Sequence, residues 1–178
     1  NSGTISATGA LATSDRNVAI DLSASNTGVI VRQTAVAATA KAPSITGDVR
    51  FGGGDDIFDI ADGSMKGNSS FGSGNNQLKL SGDAAYTGKA AFGAGADSVA
   101  LAGTSVFNGN IDFGGGADMM TLSGTSRFSG SLANSQGLAV TVSGATLDLI
   151  GTAQIASLAV TDNGILGVTL GGTTDTAL

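Results

Sequence analysis

Four copies of one phrase are written between residues 51 and 122. They read Phe51-Gly-Gly-Gly-Asp-Asp-Ile-Phe-Asp-Ile, Phe71-Gly-Ser-Gly-Asn-Asn-Gln-Leu-Lys-Leu, Phe92-Gly-Ala-Gly-Ala-Asp-Ser-Val-Ala-Leu and Phe113-Gly-Gly-Gly-Ala-Asp-Met-Met-Thr-Leu. The leading Phe returns at positions 51, 71, 92 and 113, a nearly constant step. A fixed period of this length marks a stacked solenoid, in which each repeat buries its apolar side only against its neighbours.

The full unit is Gly-x-apolar-x-Phe-Gly-x-Gly-x-Asp-x-apolar-x-apolar, followed by a turn and an aromatic. Its leading glycines are Gly47, Gly67, Gly88, Gly109 and Gly130. Two places before each Phe stand Val49, Ser69, Ala90 and Ile111, and Leu132 continues that column. After the Asp position come Phe58/Ile60, Leu78/Leu80, Val99/Leu101 and Met120/Leu122, and the unit closes on Met65, Tyr86, Phe107 and Phe128. Apolar and polar residues alternate within each short segment, so each has one buried face. Glycines fall at corners, where positive φ or close backbone approach is required. The expected fold is all-β: a single parallel β-helix of about 20–21 residues per coil, with three short strands and three corners per coil. Coils stacked about 4.8 Å apart place the Phe column inside as a ladder of rings. An antiparallel meander has no reason to keep one column in register across four copies.

Three sections are expected. Residues 1–46 form irregular N-terminal coils, with Val18, Ile20 and Leu22 alternating and Ile30, one repeat length before Phe51, as a degenerate rung. Ala35–Ala42 is expected as strand and loop, and Pro43 as a corner or edge. Residues 47–132 hold the four regular repeats. The next Phe position is Asn134, so the ladder stops there, and residues 133–178 are expected as wider closing coils of β-patterned segments: Ala139–Val142, Ser143–Gly151, Ile155–Val160 and Ile165–Leu170.

Composition narrows function. All the acids are Asp, the formal net charge is −6, and no Lys or Arg follows Arg127. With no basic patch carrying interleaved aromatics, nucleic acid is not an expected partner. An anionic membrane surface is equally unsuited, and no apolar run of about 20 residues offers direct insertion of this segment. The chain has no Cys and no His, which excludes thiol nucleophiles and thiolate metal sites. Asn1 rather than Met at the start predicts a processed product or a piece of a longer chain.

The tail Ala145-Thr-Leu-Asp-Leu-Ile-Gly-Thr-Ala-Gln-Ile-Ala-Ser-Leu-Ala-Val160, with Asn163-Gly-Ile-Leu-Gly-Val168 after it, resembles the late passenger region of type V bacterial autotransporters. The Phe-Gly-x-Gly-x-Asp repeats are similar to passenger coils, and the resemblance spans about residues 45–170. It implies a right-handed β-helix outside the cell, tethered at the bacterial surface through an outer-membrane barrel. The implied role is that of a stalk, adhesin or spacer, with an unknown host or surface ligand.

The phrase also resembles the calcium-binding nonapeptide Gly-Gly-x-Gly-x-Asp-x-apolar-x of RTX proteins. That resemblance makes Asp56, Asn76, Asp97 and Asp118 the candidate calcium ligands. Three departures stand against it. Phe replaces the first Gly, the motif recurs once per coil rather than in back-to-back nonapeptides, and Asn76 breaks the carboxylate column. The competing reading is that these side chains cap their own turns by accepting from N–H groups two places on.

Three function classes follow. The first is a non-catalytic surface rod. The second is a polysaccharide-degrading enzyme built on Asp55, Asp56, Asp59 and Asp62, or on the adjacent-coil pair Asp97 and Asp118, whose spacing suits a retaining glycosidase. Its cationic partners would be Arg50, Lys66, Lys79 and Lys89, none of which clusters with the acids by spacing. The third is a self-assembling filament subunit that associates through unpaired strands at the solenoid ends. An ice-binding Thr ladder has only Thr104 and Thr125 to offer.

Overall fold

The computed structural model describes residues 1–11 and 16–169. Strands are short, parallel and stacked, and no helix occurs among the described residues. The chain is a β-solenoid with three faces per coil as far as Leu132–Ala133. The first face runs through Thr4–Ser6, Ser44–Thr46, Ser64–Lys66, Ala85–Ala91, Val106–Asp112, Arg127–Gly130, Thr146–Ile150 and Ile165–Thr169. The second runs through Val18–Asp21, Asp48–Arg50 and Ser69–Ser70 into the later halves of Ala85–Ala91 and Val106–Asp112, and ends at Leu132–Ala133. The third is the sheet Ile30–Gln33, Ile57–Ile60, Gln77–Leu80, Ser98–Leu101, Met119–Ser123, Ala139–Ser143 and Ser157–Thr161.

Strand register reproduces the sequence columns. Phe58, Leu78, Val99 and Met120 oppose one another in turn, as do Met65, Tyr86, Phe107 and Phe128. Gly88 and Gly109, at φ 144°, sit mid-strand where the first face turns into the second. All seven Phe and the one Tyr lie in the core. Phe51, Phe71, Phe92 and Phe113 stack at centroid separations of 4.9, 4.4 and 5.8 Å with ring planes within 12°. A second stack joins Tyr86 to Phe107 at 4.5 Å and Phe107 to Phe128 at 5.5 Å. Rings this close gain both buried area and offset-stacking attraction.

Two irregular residues explain each other. Ser69 is the one polar member of the second-face column, and Tyr86 is the one hydroxylated ring of the first-face column. Tyr86 Oη hydrogen-bonds Ser69 Oγ at 2.9 Å and donates to the Lys89 carbonyl at 3.0 Å, all within the core. A buried hydroxyl left without a partner costs on the order of 1–3 kcal/mol. Tyr86→Phe and Ser69→Val are therefore each expected to destabilise by about 1–2 kcal/mol. The double variant, which restores the pattern of the neighbouring coils, is expected to recover most of that loss. A double-mutant cycle from urea unfolding measures the coupling, and additive losses would contradict the pairing.

Two expectations need correction. Ile30 is not a rung of the Phe column. It pairs with Ile57 on the third face and points outward, and the chain enters the Phe position from Leu22, whose N–H donates to Arg50 O at 2.7 Å. The loop 34–43 lengthens the first coil, so counting back one repeat from Phe51 lands on the wrong face. The tail coils are also narrower, not wider. One coil carries Phe128 to Leu147 and Leu147 to Leu166 on the first face, and Val140 to Leu158 on the third. Each of these steps is shorter than the step from Phe107 to Phe128 in the regular repeats. The second face ends at Leu132–Ala133, and only half-buried Ala153 and Ile155 pack where its next strand would lie. Ala35–Ala42 is loop throughout, without the strand also expected there, and Ala40 N–H donates to Ala37 O at 2.8 Å. Leu170, the last residue of the expected segment Ile165–Leu170, falls outside the described residues.

Candidate metal column

The Gly-x-Gly turn carries each coil from the second face to the third, and its last residue points inward. Asp56, Asn76, Asp97 and Asp118 are therefore all buried, at 3% exposure or less, on four successive coils. They form one chain of bonds between coils. Val29 N–H donates to Asp56 Oδ1 at 2.8 Å, Asp56 N–H to Asn76 Oδ1 at 3.0 Å, Asn76 N–H to Asp97 Oδ1 at 2.7 Å, and Asp97 N–H to Asp118 Oδ1 at 2.9 Å. Each side chain accepts from the coil before it. The own-turn capping expected for this column is thus replaced by capping of the neighbouring coil. Own-turn caps occur elsewhere, from Ser23 N–H to Asp21 Oδ1 and from Gly114 N–H to Asp112 Oδ1. Buried Leu138 takes the next place beyond Asp118, where the ladder ends.

Two outer ladders run in the opposite sense. Asn75 N–H donates to Asp55 Oδ1 at 2.7 Å and Ala96 N–H to Asn75 Oδ1 at 2.8 Å. On the second face Asn68 N–H donates to Asp48 Oδ1 at 2.9 Å and Lys89 N–H to Asn68 Oδ1 at 3.0 Å. Here each side chain accepts from the coil after it. At the Gly-x-Gly corner the inner row and the Asp55–Asn75 row thus bind the first repeats from both sides, and the Asp48–Asn68 row does the same work at the corner before it. Aligning the sequence by its columns brings Asp48 over Asn68 and Asp55 over Asn75, which is the signal that could have found them.

Asn76 and the aspartates differ at their second side-chain atom. Asn76 Nδ2 donates to Gly74 O, two places back, and to Asp97 Oδ1, both at 3.0 Å. In the Asp rungs the corresponding atom is Oδ2. It is buried in Asp56, Asp97 and Asp118 with no hydrogen-bond partner among the described residues. Burial accordingly raises all three carboxyls above their ordinary value of 3.8, and the charge of Asp55 adds to this at Asp56, as those of Asp118 and Asp55 do at Asp97. The donors are arranged for a hydrogen-bond ladder. Backbone N–H groups take every Oδ1, and the Asn76 amide is aimed at Asp97 where a cation between those coils would sit. No group of three or more acidic side chains is gathered for a metal among the described residues.

The sign of the pH dependence follows. A carboxyl whose folded pKa is raised favours the fold in its protonated form, so its penalty is full at neutral pH and relieved as pH falls through the raised value. Asp112, lowered by bonds from Asn134 and Lys89, and Asp21, lowered by Ser23, work the other way and lose their contribution only below the ordinary range. Thermal melting is expected to rise from pH 7 into mildly acidic buffer and to fall again below about pH 4. A monotonic fall from pH 7 downward would contradict the buried, unpartnered carboxyls.

The other candidate residues are dispersed. Asp59 pairs with Arg32 on the outer third face at 3.0 Å, Asp62 Oδ2 accepts from Val36 N–H, and Lys89 pairs with Asp112 at 3.0 Å. Asp97 and Asp118 do stand on adjacent coils, but inside the wall. Thr104 and Thr125 turn their hydroxyls back to the carbonyls of Gly82 and Gly103. An open cavity of about 570 Å³ lies between the alanine loop and the turns at Asp62, Gly82 and Gly103, with no aromatic lining it. No protein-family model, curated protein or solved structure matches this chain.

Proposed function

We propose that this chain is a non-catalytic structural rod, a solenoid segment of a bacterial surface passenger of the autotransporter type. The observation that carries this reading is where the aromatics went: all of them are committed to the core. None remains on the surface to stack a sugar ring, and the acids that a glycosidase would need are scattered over separate faces or sealed in the wall. What such a molecule offers is rigid reach with a polar exterior, held by inter-coil hydrogen bonds. In this reading the Asp column works as a ladder and needs no ion.

Protease shaving tests the placement. Intact source cells exposed to a non-permeant protease should release peptides of this chain while a cytoplasmic marker stays whole. Protection of the chain until the cells are lysed would overturn the surface reading. For the non-catalytic part, the purified chain should release no new reducing ends from a panel of neutral and acidic polysaccharides, and sustained release would overturn it. A second reading is self-association of the rod through strand edges, supported by the exposure of Leu158, Val160, Leu166 and Val168 in the last described coil.

A further inference from the structure

We propose that the groove beneath the alanine loop, on the side of the rod, binds a linear alkyl diammonium ligand. The loop 34–43 is an insertion that breaks the repeat, and inserted loops on a solenoid often make its binding face. It is pinned at both ends. Val36 N–H donates to Asp62 Oδ2 at 2.9 Å, and Pro43 O accepts from Ser64 N–H at 3.0 Å. Between these anchors Ala37, Ala38 and Ala40 form one wall of the cavity of about 570 Å³, which runs from the turn at Asp62 across Gly82 to Gly103. That volume suits a small organic molecule rather than a bare ion. The walls are internal segments, 35–42, 61–62, 82–83 and 103–104, so the groove does not arise from where the described residues stop.

The lining sets the chemistry of the ligand. One wall is alanine methyls, the floor is the bare backbone of Gly82 and Gly103, and the charged side chains among the lining residues are Asp62 and Asp83. Each of these acids stands two places before a member of one strand pair, Ser64 with Ala85, so they sit on adjacent coils about 4.8 Å apart along the axis. Asp83 is exposed and Asp62 half-buried, and neither is ion-paired among the described residues. A chain of methylenes packs on the methyl wall, and its ammonium groups answer the two carboxylates. An extended peptide is the poorer occupant, because it brings N–H and C=O groups of its own that need partners. The floor carbonyls are already taken. Gly82 O accepts from Thr104 N–H and Oγ1 at 2.8 and 3.0 Å, and Gly103 O accepts from Thr125 N–H and Oγ1 at 2.8 and 3.4 Å. A diammonium chain needs only the two carboxylates.

Titration calorimetry of the full chain with cadaverine, at low and high NaCl, reads this directly. One cadaverine per chain should bind, more weakly as salt is raised. The neutral diol of the same length should not bind. The double variant Asp62→Asn/Asp83→Asn keeps an acceptor for Val36 N–H and should weaken cadaverine about tenfold or more, with an unchanged circular dichroism spectrum. Asp55→Asn keeps the acceptor for Asn75 N–H while removing a charge at another corner, and should bind like the parent. Ala38→Leu, a substitution on the exposed loop that fills the groove, should block binding without changing the spectrum. Absence of binding at millimolar cadaverine, equal binding of the diol, equal weakening by Asp55→Asn, or tighter binding of a lysine-containing peptide than of cadaverine would each overturn the proposal.

Discussion

Gly109→Ala is expected to cost on the order of 4 kcal/mol, a large part of the stability of a domain this size. Gly109 lies in the middle of the strand Val106–Asp112 with φ 144°, a backbone state that side chains with a Cβ avoid. Space is the second problem. A Cβ on Gly109 would run into the carbonyl oxygen of Gly88 in the coil below, and that atom is backbone, fixed by the register of the sheet. The coil would have to separate locally, which also lengthens the hydrogen bonds on both faces that meet there. Gly115, equally positive in φ but with open space around it, is the control, and Gly115→Ala should cost about 1 kcal/mol. Urea unfolding of the two variants compares them, and equal costs would show that coil stacking is not what demands glycine at position 109.

Phe71→Ala should destabilise by about 3–5 kcal/mol. The ring is fully buried and lies between Phe51 at 4.9 Å and Phe92 at 4.4 Å. Removing it opens a void that neither neighbour fills, because both are fixed to their own coils. Phe71→Leu keeps most of the volume but loses the stacking on both sides, and about 1.5 kcal/mol is expected. Denaturant midpoints with an unchanged m-value would measure both, and a cost below that of Phe71→Leu for the alanine variant would contradict a rigid stack.

These two columns were the legible part of the molecule. Phe and Gly repeat because each coil meets the same neighbour, so a period in sequence becomes a column in space. The inner faces at Phe58/Ile60 and at Met65, Tyr86, Phe107 and Phe128 were readable for the same reason. Legibility failed where the period breaks. Ile30 is misplaced by counting because the loop 34–43 adds residues without adding a strand. The tail narrows because the second face stops at Leu132–Ala133, and nothing in the alternation of Val, Thr and Leu says how many faces a coil keeps. The Asp column was visible, but not which coil its side chains serve, since hydrogen bonds to one's own turn and to the next coil need the same residue types. The Tyr86–Ser69 bond was hidden for a related reason: each looked like a lone exception in its own column.

Replacing Asp56, Asp97 and Asp118 together by Asn tests most directly whether the repeat is a packing and hydrogen-bond device. Each Asn would keep Oδ1 as the acceptor and turn a donor toward the glycine carbonyl two places back, as Asn76 already does. About 1 kcal/mol per rung is expected, or roughly 2–4 °C in melting temperature for each. At pH 7 the triple variant should melt higher than the parent and lose the parent's gain on mild acidification, and both proteins should melt at the same temperature in calcium as in chelator. A parent that melts higher in calcium, with a triple variant that has lost that gain, would contradict the account and return the column to the metal.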